Sequence, residues 1–220
     1  TSQIPIVMVA QGDPLGLGVV KSLARPEANI TGITNATVEL VGKRLQLLKE
    51  LLPRAQHFAV IVNPNDENAS AQMANATTTA SALGVALAPI VNLRAVDELD
   101  AAFAQIAASG AAGALRLVDP LTSMVRPAIQ QAAVRHRVPV MYAFREDVTL
   151  GGLIAYGASQ AEVYRQAARL VHRLLQGARP ADLPVEMPTV YEFAINLRTA
   201  RALGITVAPT LLAGATDVIE

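Results

Sequence analysis

Five short stretches of this 220-residue sequence hold much of its unusual polarity and three of its few aromatic residues. Gly12-Asp13-Pro14 is the first, and Asn63-Pro64-Asn65-Asp66-Glu67-Asn68-Ala69-Ser70 the second. Asp119 with Thr122 and Ser123 forms the third. Tyr142 with Phe144, Arg145 and Glu146 forms the fourth, and Tyr156, Gly157 and Ser159 the fifth. Asp13 and Asp119 are carboxylates, Asn68 and Ser70 offer an amide and a hydroxyl, and Arg145 could face a carboxylate. Tyr142, Phe144 and Tyr156 could clamp an apolar body. Each residue alone has a plainer reading. Asn68 and Ser70 are ordinary helix caps, Asp119 before Pro120 fits a turn, and Arg145 could pair with Glu146 in solvent.

Catalytic combinations are scarce. Cysteine is absent, so thiolate nucleophiles, thiolate metal sites and disulfides are excluded together. His57, His136 and His172 have no acidic or histidine partner at ligand spacing, so no metal ligand or catalytic residue is assigned. Gly16-Leu17-Gly18 begins like a dinucleotide fingerprint, but Lys21 stands where the third glycine belongs. Neither a phosphate loop nor a Gly-x-Ser-x-Gly elbow occurs. No cofactor is expected. Asn29, Asn35, Asn68 and Asn75 begin Asn-x-Ser/Thr triplets and read as caps and turns. Lys+Arg equals Asp+Glu, 18 of each, which leaves no surplus charge for nucleic acid.

The elements that must position these loops follow from periodicity. Hydrophobic content is 52% with only 4% aromatic residues and no tryptophan, which suits aliphatic helices layered on parallel strands. Ile4–Ala10 reads as a buried strand, Leu17–Leu23 as a short helix and Ile30–Ile33 as a strand. Val38, Val41, Leu45, Leu48 and Leu52 mark a helix. From Phe58 onward strand and helix alternate with short connections: strands at 58–62, 85–91, 114–118, 138–142 and 153–155, helices between them. A helix through Val163, Ala167, Leu170 and Leu174, a proline-rich connector over 178–189, and a strand and helix over 193–203 complete the pattern. That alternation predicts a parallel sheet covered on both faces. Ligands of such sheets sit outside the carboxyl ends of strands, where the five stretches fall. The apolar stretch Ala101–Leu117 is interrupted by Gln105, Ser109 and Arg116, too polar to span a membrane.

GDPLGLGVVKSLARPEANITGITN, ELVGKRLQLLKELLP, FAVIVNPNDENAS, PVMYAFREDVTLGGLIAYG and INLRTARALGI…APTLLAGATDVIE together resemble one bacterial family. It is the ABC-transporter substrate-binding proteins whose better-studied members bind tryptophan or other aromatic amino acids. The resemblance implies an α/β, periplasmic-binding-protein-like fold of type I character, two lobes of parallel sheet flanked by helices. Residues 1–34 and 158–184 would form a partial first lobe, 35–157 the second, and 185–220 a C-terminal crossover. Solute contacts implied by the matching positions are Asp13, Pro14, Asn68, Ser70, Asp119, Tyr142, Phe144 and Tyr156; Arg145 is added from its position. The implied function is non-catalytic capture of a small carboxylate-bearing solute with an apolar or aromatic body for a membrane permease, in the periplasm or lipid-anchored outside a Gram-positive cell. Relatives carry further βα units ahead of IPIVMVA, so the first lobe is expected to be incomplete and its uncovered faces to favour self-association. An effector-sensing domain or an α/β enzyme working through Asp119 or Glu146 is the alternative.

Overall fold

The computed structural model describes residues 3–220. In chain order its elements are β1 (Ile6–Gln11), β2 (Ile30–Thr34), α1 (Val41–Leu51), β3 (His57–Val62), α2 (Ala69–Leu83), β4 (Ala86–Asn92), α3 (Leu99–Ala108), β5 (Ala114–Arg116) and α4 (Pro120–Met124). There follow α5 (Arg126–Arg135), β6 (Val140–Tyr142), α6 (Arg145–Thr149), β7 (Ile154–Ala158), α7 (Gln160–Leu175), β8 (Tyr191–Asn196), α8 (Leu197–Leu203), α9 (Pro209–Gly214) and β9 (Asp217–Ile219). The chain divides into two units, Thr1–Val38 with Gly157–Tyr191, and Glu39–Tyr156 with Glu192–Glu220.

In the first unit β1 and β2 pair in parallel. Helix α7 covers them because Val163, Ala167 and Leu170 recur at helical spacing on one face, where they meet Ile33 and Leu183. Gly32 stands opposite Met8 in the ladder, with φ +152°. A Cβ there would lie 2.1 Å from the Met8 carbonyl oxygen, so only glycine allows the two backbones to approach this closely. The helix expected over Leu17–Leu23 is absent. Gly18 takes a left-handed φ of +66°, and the segment closes as turns, with Gly18 N–H donating to Leu15 O and Val20 N–H to Pro14 O.

The second unit is organised by a seven-stranded sheet of order β4-β3-β5-β6-β7-β8-β9. Strands β3 to β7 pair in parallel, as do β8 and β9. Strand β8 departs from the expected parallel order. Asn196 N–H donates to Leu153 O and Ser159 N–H to Val190 O, a pairing in which one strand ascends as the other descends. Alternate strand residues face opposite sides. Val60, Leu115 and Met141 join Leu45, Leu48 and Ala76 in one core, whereas Ile61, Ala114, Val140 and Tyr142 join Phe103, Ile106 and Ile129 in the other. Among the described residues no helix is long and apolar enough to cross a membrane.

Gly32→Ala is expected to destabilise the first unit by about 2–3 kcal/mol or more, since both the left-handed backbone and a backbone oxygen oppose the new methyl. Urea unfolding followed by far-ultraviolet circular dichroism checks this. A midpoint equal to that of the parent chain would show that the β1–β2 approach is looser than described.

Candidate functional site

Strands β3, β5 and β6 point their carboxyl ends to one edge of the second unit, and the polar loops follow them there. After β3, Asn63 Oδ1 accepts from Asn65 N–H, and Asp66 Oδ1 accepts from Asn68 N–H, so the loop is shaped by its own side chains. Burial pushes the Asp66 carboxyl above the usual carboxylate range against the Asn68 hydrogen bond, with Asp119 adding repulsion. Asn68 does not cap α2. Its backbone is already helical, its side chain makes no cap bond, and its Oδ1 is buried without a hydrogen-bonding partner. Ser70 lies exposed in the first turn of α2. Asp119 does cap α4, and it is closed in. Its carboxylate accepts from Thr122 N–H and Oγ1–H and from Asn63 Nδ2–H. Gln72 clamps the end of β5, donating to Val118 O at 2.8 Å and accepting Val118 N–H at 2.9 Å.

Beneath this edge lies a charged network that sequence reasoning missed. Arg116, fully buried on β5, donates to Thr122 Oγ1 and to Asp147 Oδ2, both at 2.9 Å. Asp147, fully buried on α6, also meets Gln130 from α5 and lies 3.3 Å from Arg126 Nε. Arg44, fully buried on α1, donates Nε–H to Tyr156 O at 2.9 Å. Burial, then the like charge of Arg116, pushes Arg44 down to about 9, so it stays protonated at neutral pH.

The aromatic candidates separate. Tyr142, expected to line a wall, is 1% exposed: the pleat of β6 turns it into the core, where Arg116 Cζ sits 5.5 Å from its ring centre. Burial lifts its phenol well above the ordinary value of 10.0, Arg116 opposing the shift, and its hydroxyl has no hydrogen-bonding partner among the described residues. Phe144 is buried too, at the start of α6, with Arg126 Cζ 5.5 Å from its ring centre. Tyr156 is half-buried and packs edge-on against Phe193, ring centres 6.2 Å apart. Arg145 pairs with neither a free carboxylate nor Glu146. Its Nε meets Asp217 Oδ2 at 2.6 Å, because neighbours in sequence do not face each other on a helix. His136, read as partnerless, has an acidic neighbour 36 residues away: Nε2 is 2.9 Å from Asp100 Oδ1, which Arg135 also reaches.

The first unit presents a separate polar edge at the carboxyl ends of β1 and β2. Asp13 Oδ1 accepts Gly16 N–H at 2.8 Å, a local turn, and Pro14 is buried. Asn35, read from the sequence among the caps and turns, ties the two strand ends together. It donates Nδ2–H to Ala10 O at 2.8 Å and accepts Thr37 N–H, while Ala10 and Ala36 hold left-handed φ angles of 62° and 52°. Its Asn-Ala-Thr triplet signals an Asx turn, which is what forms. Among the described residues no three His, Asp or Glu side chains gather in metal-holding geometry.

A family model described as ABC transporter substrate binding protein matches residues 1–219. A tyrosine-binding protein of Clostridioides difficile is 27% identical over 209 residues, covering 92% of this chain; the chain spans 58% of that relative's length. Among solved structures, a conserved domain protein from Vibrio cholerae superposes with TM-score 0.90 at 29% identity, over 99% of this chain and 72% of its own. An ABC domain from Streptococcus pneumonia in complex with L-Trp superposes with TM-score 0.87 at 24% identity, over 100% of this chain and 75% of its own, a likeness of fold.

Removing Asp147 leaves Arg116 buried without its anion. Asp147→Ala is expected to cost about 3–5 kcal/mol in denaturant unfolding, while the double change Arg116→Met, Asp147→Leu costs less than either single change. Strictly additive losses would contradict the coupling. A second outcome concerns Tyr142. Its folded phenol titrates above its unfolded value, so the stability it contributes is complete below about pH 10 and lost as pH rises beyond. Tyr142→Phe is expected to leave neutral stability unchanged or improved and to flatten that alkaline loss. Identical alkaline profiles for the two proteins would refute it.

Proposed function

We propose that this chain, which belongs to the family of ABC transporter substrate binding proteins, is the solute-holding part of an extracytoplasmic binding protein. Its solute in this reading is an amino acid with an aromatic or apolar body, passed on to a membrane permease. The tyrosine-binding relative supports the solute class. The observation that carries the reading is the state of the second unit's carboxyl edge. Asn68 keeps a buried oxygen without a hydrogen-bonding partner and Ser70 exposes a hydroxyl at the start of α2, and Tyr156 stands half-buried on Phe193. An amide oxygen suits an ammonium, a hydroxyl suits either pole of an amino acid, and an aromatic face suits its body.

Asp13 and Pro14 are solute-contact candidates of the first unit's own polar edge, which Asn35 also shapes. Asp119 acts as the cap that shapes the loop beside Asn63. Tyr142 and Phe144 support the edge from beneath. Arg145 is held by Asp217 and takes no part.

Thermal unfolding of the chain against a panel of amino acids, aromatic acids and nucleosides tests the reading. An aromatic amino acid at about a hundred times its dissociation constant adds roughly 2.7 kcal/mol of stability, a readable shift. Ser70→Ala is expected to weaken that ligand by about twofold to tenfold, and Tyr156→Ala by more than about fivefold. Affinity unchanged in both variants would remove this edge from consideration. A panel without any shift would count against solute binding by this chain.

A further inference from the structure

The second unit has a cation whose charge is only half matched. Arg126 opens α5 at the carboxyl edge of the sheet, directly after the short helix α4 that Asp119 caps. Its Nε lies 3.3 Å from Asp147 Oδ1, within ion-pair range but out of line for a hydrogen bond. Asp147 has already given Oδ2 to Arg116 at 2.9 Å and shares Oδ1 with Gln130. The Arg126 Cζ stands over the Phe144 ring, 5.5 Å from its centre. Neither of its Nη atoms has a hydrogen-bonding partner among the described residues, and the side chain keeps 24% exposure. Asp119 is engaged by Thr122 and Asn63, and Asp217 by Arg145, while Glu146 keeps a buried Oε2 without a hydrogen-bonding partner.

A guanidinium braced on one side by a carboxylate and on one face by an aromatic ring is stiff, and presents its remaining N–H fork in a fixed direction. That fork matches a carboxylate. Sequence position favours Arg145 for the same role, but Asp217 holds Arg145 at 2.6 Å. We propose that Arg126 is the residue of the second unit that receives the carboxylate of the bound solute. The inference rests on the solute-binding reading above and adds to it the residue that selects for an acid group.

Isothermal titration of the full chain with L-tyrosine and with L-tyrosinamide, which lacks the carboxylate charge, reads this directly. The parent chain is expected to prefer tyrosine over the amide by about tenfold to a hundredfold. Arg126→Met is expected to abolish that preference, weakening tyrosine and leaving the amide as it was. Arg145→Met is expected to keep it. Should the Met variant unfold, Arg126→Gln decides by the same ratio. An Arg126 variant that keeps the parent preference, or that weakens both ligands equally, overturns the assignment, as does loss of the preference in Arg145→Met alone. A parent chain that binds neither compound overturns the solute-binding reading first, and this inference with it.

Discussion

The buried contact between Arg116 and Asp147 is the constraint on which the second unit's functional edge depends. A guanidinium and a carboxylate taken out of water lose several kcal/mol of hydration each, and recover it only when nearly every donor and acceptor is matched. Matching them here draws in separate elements. Thr122 Oγ1 accepts one Arg116 N–H and donates its own O–H to Asp119; Gln130 and Arg126 approach Asp147 from α5. Asp119 in turn holds Asn63 at the end of β3. The edge is therefore one polar assembly reaching from the middle of the sheet to the loop ahead of α2. Displacing any member leaves a buried charge or dipole unmatched.

Much of the framework is legible in residue order, because burial of strands and amphipathic helices is a local, periodic signal. Phe58–Val62 and the Val163, Ala167, Leu170 spacing needed nothing from elsewhere in the chain. The site was legible as a set of loops and not as contacts. Arg116 looks in sequence like a polar interruption of an apolar run; its meaning lies 31 residues away in Asp147. Tyr142 and Tyr156 follow similar apolar runs, yet the pleat sends Tyr142 into the core and leaves Tyr156 half-buried on Phe193. Arg145 and Glu146 look like a pair, but the partner is Asp217, 72 residues on. Leu17–Leu23 has helical apolar content, and a left-handed Gly18 overrides it.

The first unit reaches a fixed polar edge by different means. It has a two-stranded sheet and one covering helix, too little material for a buried ion network. Backbone geometry does the work instead. Gly32 lets β2 press against β1, and Ala10 and Ala36 adopt left-handed angles that non-glycine residues enter only at a cost of about 1–3 kcal/mol each. Asn35 bonds across both strand ends and keeps those angles in place. Strain held this way cannot relax without losing the Asn35 bonds, so the edge is preset.

Which groups stay available decides what such edges are suited to do. A general base or nucleophile must keep a reactive atom open to substrate. Here Asp13 accepts Gly16, Asp119 caps α4, Asp147 faces two arginines and Asp217 holds Arg145. At the second unit's edge Asn68 Oδ1 is buried without a hydrogen-bonding partner, Ser70 exposes a hydroxyl, and Arg126 Nε lies beside an Asp147 already held by Arg116. Groups fixed in place before a ligand arrives lower the ordering cost of capture. The same network that engages Asp119 and Asp147 leaves the Arg126 guanidinium 24% exposed beside Asp147.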